Sequence, residues 1–310
     1  MSKSIKIGTR GSQLALYQAN KVKSELEQKF PTHHFEIVII KTKGDKILDV
    51  ALSKIGDKGL FTKEIETALS DGVVDLAVHS LKDLPTVLPE GLILGGVLKR
   101  AEFRDALVSI SGKKIKELDE TDIIATSSLR RKAQLLKINP NFKIVDIRGN
   151  VNTRLRKMEE GYCTAMIMAA AGLQRLGFDK YISEIIDENI IVPAVSQGII
   201  AIETRQNDEL IQPLIDKIND VETNLSARAE RVFLNVLQGG CQVPVGCFTK
   251  FTDNEFYIYG FISMPDGSNI IEDSLSGKKA EAEQIAKKLA TSFYEKGASK
   301  IIEYIREIND

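Results

Sequence analysis

The chain has 310 residues, 42 Lys+Arg against 43 Asp+Glu, 43% hydrophobic residues, no Trp and three cysteines. A formal charge of −1 excludes a general nucleic-acid coat and a polybasic membrane binder, so any anion site has to be local. A chain of this size buries roughly three-quarters of its unfolded surface, in two or three domains, without a disulfide or metal staple.

Cys163, Cys241 and Cys247 form no paired framework, and with only His33, His34 and His79 there is no metal-ligand spacing. No metal is indicated, and a reduced, cytoplasmic setting is the expectation. The first ten residues alternate polar and apolar in the manner of a strand, without the apolar stretch of a secretory signal. No window reaches the apolar length of a membrane span.

In chain order, Ile5 to Gly8 reads as a strand, Leu14 to Lys29 as a helix and Phe35 to Ile40 as a strand with Phe35, Ile37 and Ile39 alternating. Thr62 to Ser70 is a helix stopped by Gly72, followed by a buried strand from Val73 to Val78. After Gly91 to Val97 the same grammar resumes: strand Ile123 to Thr126, helix Leu129 to Lys137, strand Lys143 to Ile147, helix Thr153 to Glu160, strand Ala165 to Ala169. Strands joined by crossover helices predict α/β units with mostly parallel sheets. Pro193 to Gly198 and the apolar Ile199 to Ile202 interrupt the pattern, and Val221 to Leu237 is a long helix. From Cys241 onward, strands near Phe256 to Ile262 and helices near Ala280 to Glu295 and Lys300 to Ile308 make an α+β tail.

Ligands of open α/β sheets sit outside the carboxyl ends of strands, beside helix N-termini with unpaired N–H groups. Eight of the thirteen arginines lie between residues 100 and 175. Thr126 to Arg131 ends one strand and opens one helix, and Arg148-Gly149-Asn150 follows the next strand and leads to Arg154. Guanidinium forks, hydroxyls and helix N–H groups at one crevice suit a ligand with several carboxylates or phosphates. The same residues also fit a serine N-cap and a solvated basic face. His79 to Pro85 comes straight off a strand, where Asp83 beside Lys82 could stabilise a developing cation. An Asx turn ahead of Pro85 is the alternative. Gly239 to Pro244 sets Cys241 in a loop that permits close backbone approach, so nucleophilic use of its thiol is open.

Taken together, Arg10 to Gln18, Lys58 to Glu64, His79 to Pro85, Thr126 to Arg131, Arg148 to Val151, Ala171 to Leu176, Pro193 to Gly198 and Gly239 to Pro244 resemble the hydroxymethylbilane synthases, also called porphobilinogen deaminases. The matches run in order over essentially the whole chain. The resemblance implies an α/β fold of two periplasmic-binding-protein-like (type II) doubly wound lobes plus a smaller α+β C-terminal domain. Its domains would be residues 1–97 with 199–216, then 98–198, then 217–310.

The implied reaction condenses four porphobilinogen molecules head to tail with loss of ammonia, on a dipyrromethane primer held by a thioether on Cys241, and releases hydroxymethylbilane by hydrolysis. By position in the motifs, Asp83 would be catalytic. Ser80, Lys82, Thr126, Ser128, Arg130, Arg131 and Asn150 would hold the cofactor, and Arg10, Ser12, Gln18, Arg148, Arg154, Arg175 and Gln197 the substrate. Lys54, Lys58 and Phe61 would belong to a lid. Asp57 and Ser196 stand where the family pattern commonly has glycine, which bears on lid and hinge geometry.

No nucleic acid or membrane partner is implied, and a monomer is expected. The rival reading from another class is a two-lobed anion-binding receptor or sensor, which would not require the Cys241 loop. A thiol-dependent hydrolase using Cys241 lacks a credible base.

Overall fold

The computed structural model describes residues 4–46, 59–238 and 243–308. They fall into two compact units, one made of residues up to 46, 59–101 and 198–224, the other of 102–197 and 225–308.

The first unit is built on strands β1 (Ile5–Thr9), β2 (Phe35–Ile39), β3 (Leu76–Ser80) and β4 (Leu92–Val97), with helices α1 (Gln13–Lys29) and α2 (Lys63–Ser70) between them. The second unit opens with β5 (Asp105–Ser109), β6 (Ile123–Ala125), α3 (Leu129–Ile138), β7 (Lys143–Val145), α4 (Val151–Glu159), β8 (Ala165–Ala169), α5 (Ala170–Arg175) and β9 (Ile182–Ile185). The chain then returns to the first unit with β10 (Ile200–Arg205) and α6 (Gln212–Asp216). It ends with α7 (Val221–Val236), β11 (Val245–Phe251), β12 (Glu255–Ile262), β13 (Ile271–Lys278), α8 (Ala282–Glu295) and α9 (Ala298–Glu307).

The first sheet has the order β2-β1-β3-β10-β4 and the second β7-β6-β8-β5-β9. These are one topology used twice: three parallel strands, then a strand that enters antiparallel from a crossover, then an edge strand antiparallel to it. This is the type II lobe of the periplasmic binding proteins. The expectation of mostly parallel sheets is thereby corrected, since hydrophobic periodicity reports burial and not strand direction.

Both sheets are covered on both faces. In the first, Ile7, Leu76 and Val78 meet Ala19, Val22 and Leu26 of α1 and Leu214 and Ile215 of α6, while Ala77 points the other way toward Ile65 and Leu69 of α2. In the second, Ala106 and Val108 pack with Leu155, Met158 and Leu173, and Leu107 packs on the opposite side with Leu135 and Ile167. The third sheet, β11-β12-β13, is antiparallel. Cys247, Phe256 and Ile258 face Phe233, Leu289 and Phe293, whereas Phe248 and Phe261 pack on Val192.

The strand expected over Val73 to Val78 lies instead at Leu76–Ser80. Val73 is exposed, and the Asp75 carboxylate accepts a hydrogen bond from the Lys6 amide, so these residues belong to the turn. Consequently His79 and Ser80 are the last residues of β3 rather than the start of the loop after it.

Candidate active site

In the first unit, the carboxyl ends of β1 and β3 carry the polar groups. Ser12 caps α1, its hydroxyl accepting from the Ala15 amide at 3.3 Å. Arg10 pairs with Asp45 at 2.6 Å and stacks over the Phe61 ring, 4.1 Å from its centre. Burial raises the Asp45 carboxyl, but hydrogen bonds from Arg10 and Thr42 outweigh it and hold the group below its ordinary range. Gln18 is buried, and its amide exchanges two hydrogen bonds with the Ser80 hydroxyl, at 2.9 and 3.2 Å. Gln18 is therefore turned to Ser80, where the motif comparison implied a substrate contact.

Leu81–Asp83 forms a single 3₁₀ turn after β3, closed by the Leu84 amide to the Leu81 carbonyl. Lys82 is half-buried and the Asp83 side chain is exposed. Among the described residues the Asp83 carboxylate accepts no hydrogen bond, and Pro85, two residues on, has no N–H to offer, so the Asx-turn alternative is not what this loop adopts. Just behind it, His79 Nε2 lies 3.0 Å from Glu203 Oε2 in a pair that is fully enclosed. Glu66 is also buried, and burial together with the charge of Glu203 pushes its carboxyl up.

In the second unit, the start of α3 carries Ser127, Ser128, Arg130 and Arg131. Ser128 is the N-cap, and Thr126 Oγ1 accepts from its amide at 3.2 Å. Arg130 and Arg131 converge on one buried carboxylate: Arg130 Nη1 donates to Asp105 Oδ2 at 2.9 Å and Arg131 Nη2 to Asp105 Oδ1 at 2.7 Å. Burial opposes ionisation of Asp105, but the two guanidinium charges hold its carboxyl far below the ordinary carboxylate range. Arg131 Nε is buried and finds no acceptor within the described residues.

Asn150 caps α4, accepting from the Thr153 amide and hydroxyl at 3.0 Å. Before it, Gly149 has φ 114°, a conformation that L side chains rarely adopt. Arg148 Nη1 is buried and unpartnered among the described residues. Arg154 Nε donates to the Gly149 carbonyl at 2.8 Å, and Arg175 closes α5. Gln197 is buried, its amide donating to the Phe103 carbonyl at 2.8 Å and to Asp105 Oδ1 at 2.9 Å. Neighbouring Ser196 has φ 61°, the left-handed region, and its amide donates to buried Glu230 at 2.6 Å.

Cys241, Lys54 and Lys58 lie outside the described residues. Cys163 is buried and its thiol is pushed up to about 11 by burial, which makes it unreactive. Asp105, Glu203 and Glu230 escaped the sequence reading. Each is a lone acid at a strand start, in a strand or on a helix, and only an accounting of counter-ions for the arginine cluster could have singled out Asp105.

The arrangement in the second unit suits an anionic ligand. Two guanidiniums share one carboxylate, which leaves one positive charge in excess, and two buried guanidinium N–H groups lack acceptors. That donor set fits a group bearing carboxylates. Among the described residues no cluster of His, Cys, Asp and Glu could hold a metal ion, and no helix is long and apolar enough to cross a membrane.

Two family profiles match. Residues 5–213 match "Porphobilinogen deaminase, dipyromethane cofactor binding domain" and residues 224–295 match "Porphobilinogen deaminase, C-terminal domain". The porphobilinogen deaminase of Carboxydothermus hydrogenoformans is 46% identical over 306 residues, covering 99% of this chain and 98% of the relative. That of Chloroherpeton thalassium is 45% identical over 313 residues, covering 100% of each. Among solved structures, the methionine binding protein MetQ aligns with TM-score 0.45 and 16% identity over 73% of this chain and 94% of that one. With both profiles matched in order and near half of all residues identical to full-length relatives, the chain belongs to the porphobilinogen deaminase family of transferases.

Proposed function

We propose that the chain condenses four porphobilinogen molecules into hydroxymethylbilane, with Asp83 as the catalytic group and the arginines of the second unit as the holders of carboxylates. The single observation that carries the reading is the exposed, uncapped Asp83 on a 3₁₀ turn at the carboxyl end of β3, within a chain whose family is a pyrrole-condensing transferase.

The dipyrromethane, when bound, supplies the nucleophilic pyrrole carbon that primes condensation. Loss of ammonia from porphobilinogen generates a delocalised cation, and a carboxylate is the side chain that lowers the energy of its formation. At ~4 Å and an effective dielectric near 20 such a pair gains ~4 kcal/mol, about three orders of magnitude in rate when confined to the transition state. Ser80, bonded to Gln18, ends β3 directly before the turn that carries Lys82 and Asp83.

Each porphobilinogen brings two carboxylates, and their mutual repulsion has to be offset locally. Arg131, with Arg130 beside it and the hydroxyls of Ser128, the N-cap, and Thr126, takes the cofactor's carboxylates. Arg148, Arg154 and Arg175 take those of the substrate, as does Arg10 when it exchanges Asp45 for a substrate carboxylate. Cys241 is the proposed attachment point, and Lys54, Lys58 and Phe61 the proposed lid. Residues 1–97 with 199–216, residues 98–198 and residues 217–310 are proposed as three domains, in a cytoplasmic monomer.

The test is the intact mass of the purified protein from a host that makes porphobilinogen. An excess of two covalently linked pyrrole units, absent from Cys241→Ala, is expected. An unmodified wild-type chain would count against this reading and in favour of an anion receptor.

A further inference from the structure

We infer that Asp105 is a positioning residue for this reaction, a buried carboxylate that fixes the orientation and net charge with which Arg130 and Arg131 receive the cofactor's carboxylates. The inference rests on the role proposed above for those two arginines.

Asp105 is the first residue of β5 and is fully buried. Its two oxygens are divided between its partners: Oδ1 accepts from Arg131 Nη2 at 2.7 Å and Gln197 Nε2 at 2.9 Å, and Oδ2 accepts from Arg130 Nη1 at 2.9 Å. Each guanidinium is also tied to a backbone carbonyl, Arg131 Nη1 to Ile167 at 3.0 Å and Arg130 Nη1 to Val192. Every one of these bonds engages the terminal nitrogens. Of the three Arg131 guanidinium nitrogens this leaves Nε, buried and without an acceptor among the described residues. A guanidinium held by its tips in this way presents one defined edge to an incoming carboxylate.

Charge makes the same point. Arg130 and Arg131 stand in the first turn of α3, the end of a helix that disfavours cations. Two adjacent buried cations also repel each other. One carboxylate offsets both effects and still leaves an excess positive charge, which an anionic ligand can neutralise. A second acid here would remove that excess, and none at all would leave two unpaired charges in the interior. Glu102, the nearest acid in sequence, is engaged by Arg104 at 2.7 Å.

A carboxylate that served only to neutralise would do so from more than one position, whereas a positioning carboxylate would not. Asp105→Glu keeps the charge and displaces it by one methylene. Asp105→Asn keeps the shape but offers one acceptor oxygen where two are used, and turns two donors toward guanidinium groups. Full-length wild type, D105E and D105N are to be purified from a host that makes porphobilinogen, and the fraction of chains carrying the two-pyrrole mass increment measured beside the far-UV circular dichroism and the cooperativity of melting.

D105E is expected to keep a native spectrum and a cooperative transition while its loaded fraction drops at least tenfold. D105N is expected to lose loading further, together with stability. Folded D105E loaded to the wild-type level, with wild-type kcat and KM, would overturn the inference while leaving the function intact. Wild type without the increment would overturn the function and the inference together.

Discussion

The two α/β lobes share one strand order, and each places a fully buried acid on the strand that enters antiparallel from the crossover, yet the acids do different things. In the second lobe Asp105 begins its strand, opposite Ala169 at the carboxyl end of β8, and meets two arginines. In the first lobe Glu203 lies three residues past Ile200, the residue opposite the carboxyl-terminal Ser80, and meets His79 with Glu66 nearby. One position lies at the carboxyl end of the neighbouring strand and leaves positive charge in excess. The other is sunk into the sheet and gathers carboxylates around an imidazole. Depth along one strand thus decides whether a buried acid meets the guanidiniums at a helix start or an imidazole within the sheet.

The largest effect is expected at Asp83. Asp83→Asn is expected to lower turnover about a thousandfold, measured as ammonia release, with an unchanged unfolding midpoint because the side chain is exposed. Ammonia release near the wild-type rate would remove Asp83 from the chemistry.

Arg148→Leu in the second lobe removes a guanidinium with a buried, unpartnered N–H. A charge-assisted hydrogen bond is worth about 1.5–3 kcal/mol, so kcat/KM is expected to fall roughly ten- to a hundredfold. Products should stall at a definite chain length visible by mass.

Glu66→Gln tests the first lobe's buried acids. The folded pKa of Glu66 is raised above its ordinary 4.5, so between those two values the native state holds more protons than the unfolded chain. Stability is therefore lost as pH rises through that window. Replacement by the neutral isostere should remove this loss, narrowing the difference between denaturant midpoints at acid and neutral pH. An unchanged pH slope would show that Glu66 ionises normally.

The smallest effect is expected at Ser196, whose φ of 61° is costly for any residue with a Cβ. Ser196→Gly relieves that strain but frees the unfolded backbone, for a net stabilisation of about 0.5 kcal/mol, read from the urea midpoint.

Much of this fold was legible because buried helices and central strands announce themselves by period. Ala165 to Ala169 coincides with β8, and the helices after Leu129 and Val221 deviate by a single residue. The strands that escaped notice were Asp105–Ser109, Ile182–Ile185, Val245–Phe251 and Ile271–Lys278. Three of them, all but β5, are edge strands. Ile182–Ile185 is short, and Ile271–Lys278 carries Glu, Asp and two Ser with no clean alternation. Val245–Phe251 hides behind two apolar faces that blur its period. Asp105–Ser109 opens on a charge that only makes sense once two arginines are seen beside it.

The candidate site was legible in the same partial way. Spacing after strands located the arginines, but pairing depends on residues distant in sequence. Arg10 is engaged by Asp45, Arg130 and Arg131 by Asp105, and the Gln18 amide by Ser80. No local pattern encodes those partners.

The strand order also sets a timetable for a nascent chain on the ribosome. Every strand of the second sheet lies between residues 105 and 185, so that sheet can assemble as one stretch emerges. The first sheet cannot, because β4 pairs only with β10, and synthesis must run from Val97 to Ile200 before the missing strand exists. At about 5–20 residues per second that interval is roughly 5–20 s. Throughout it the facing edges of β3 and β4 are exposed to other chains, which makes the segment up to Val97 the one with most need of a holding chaperone during translation.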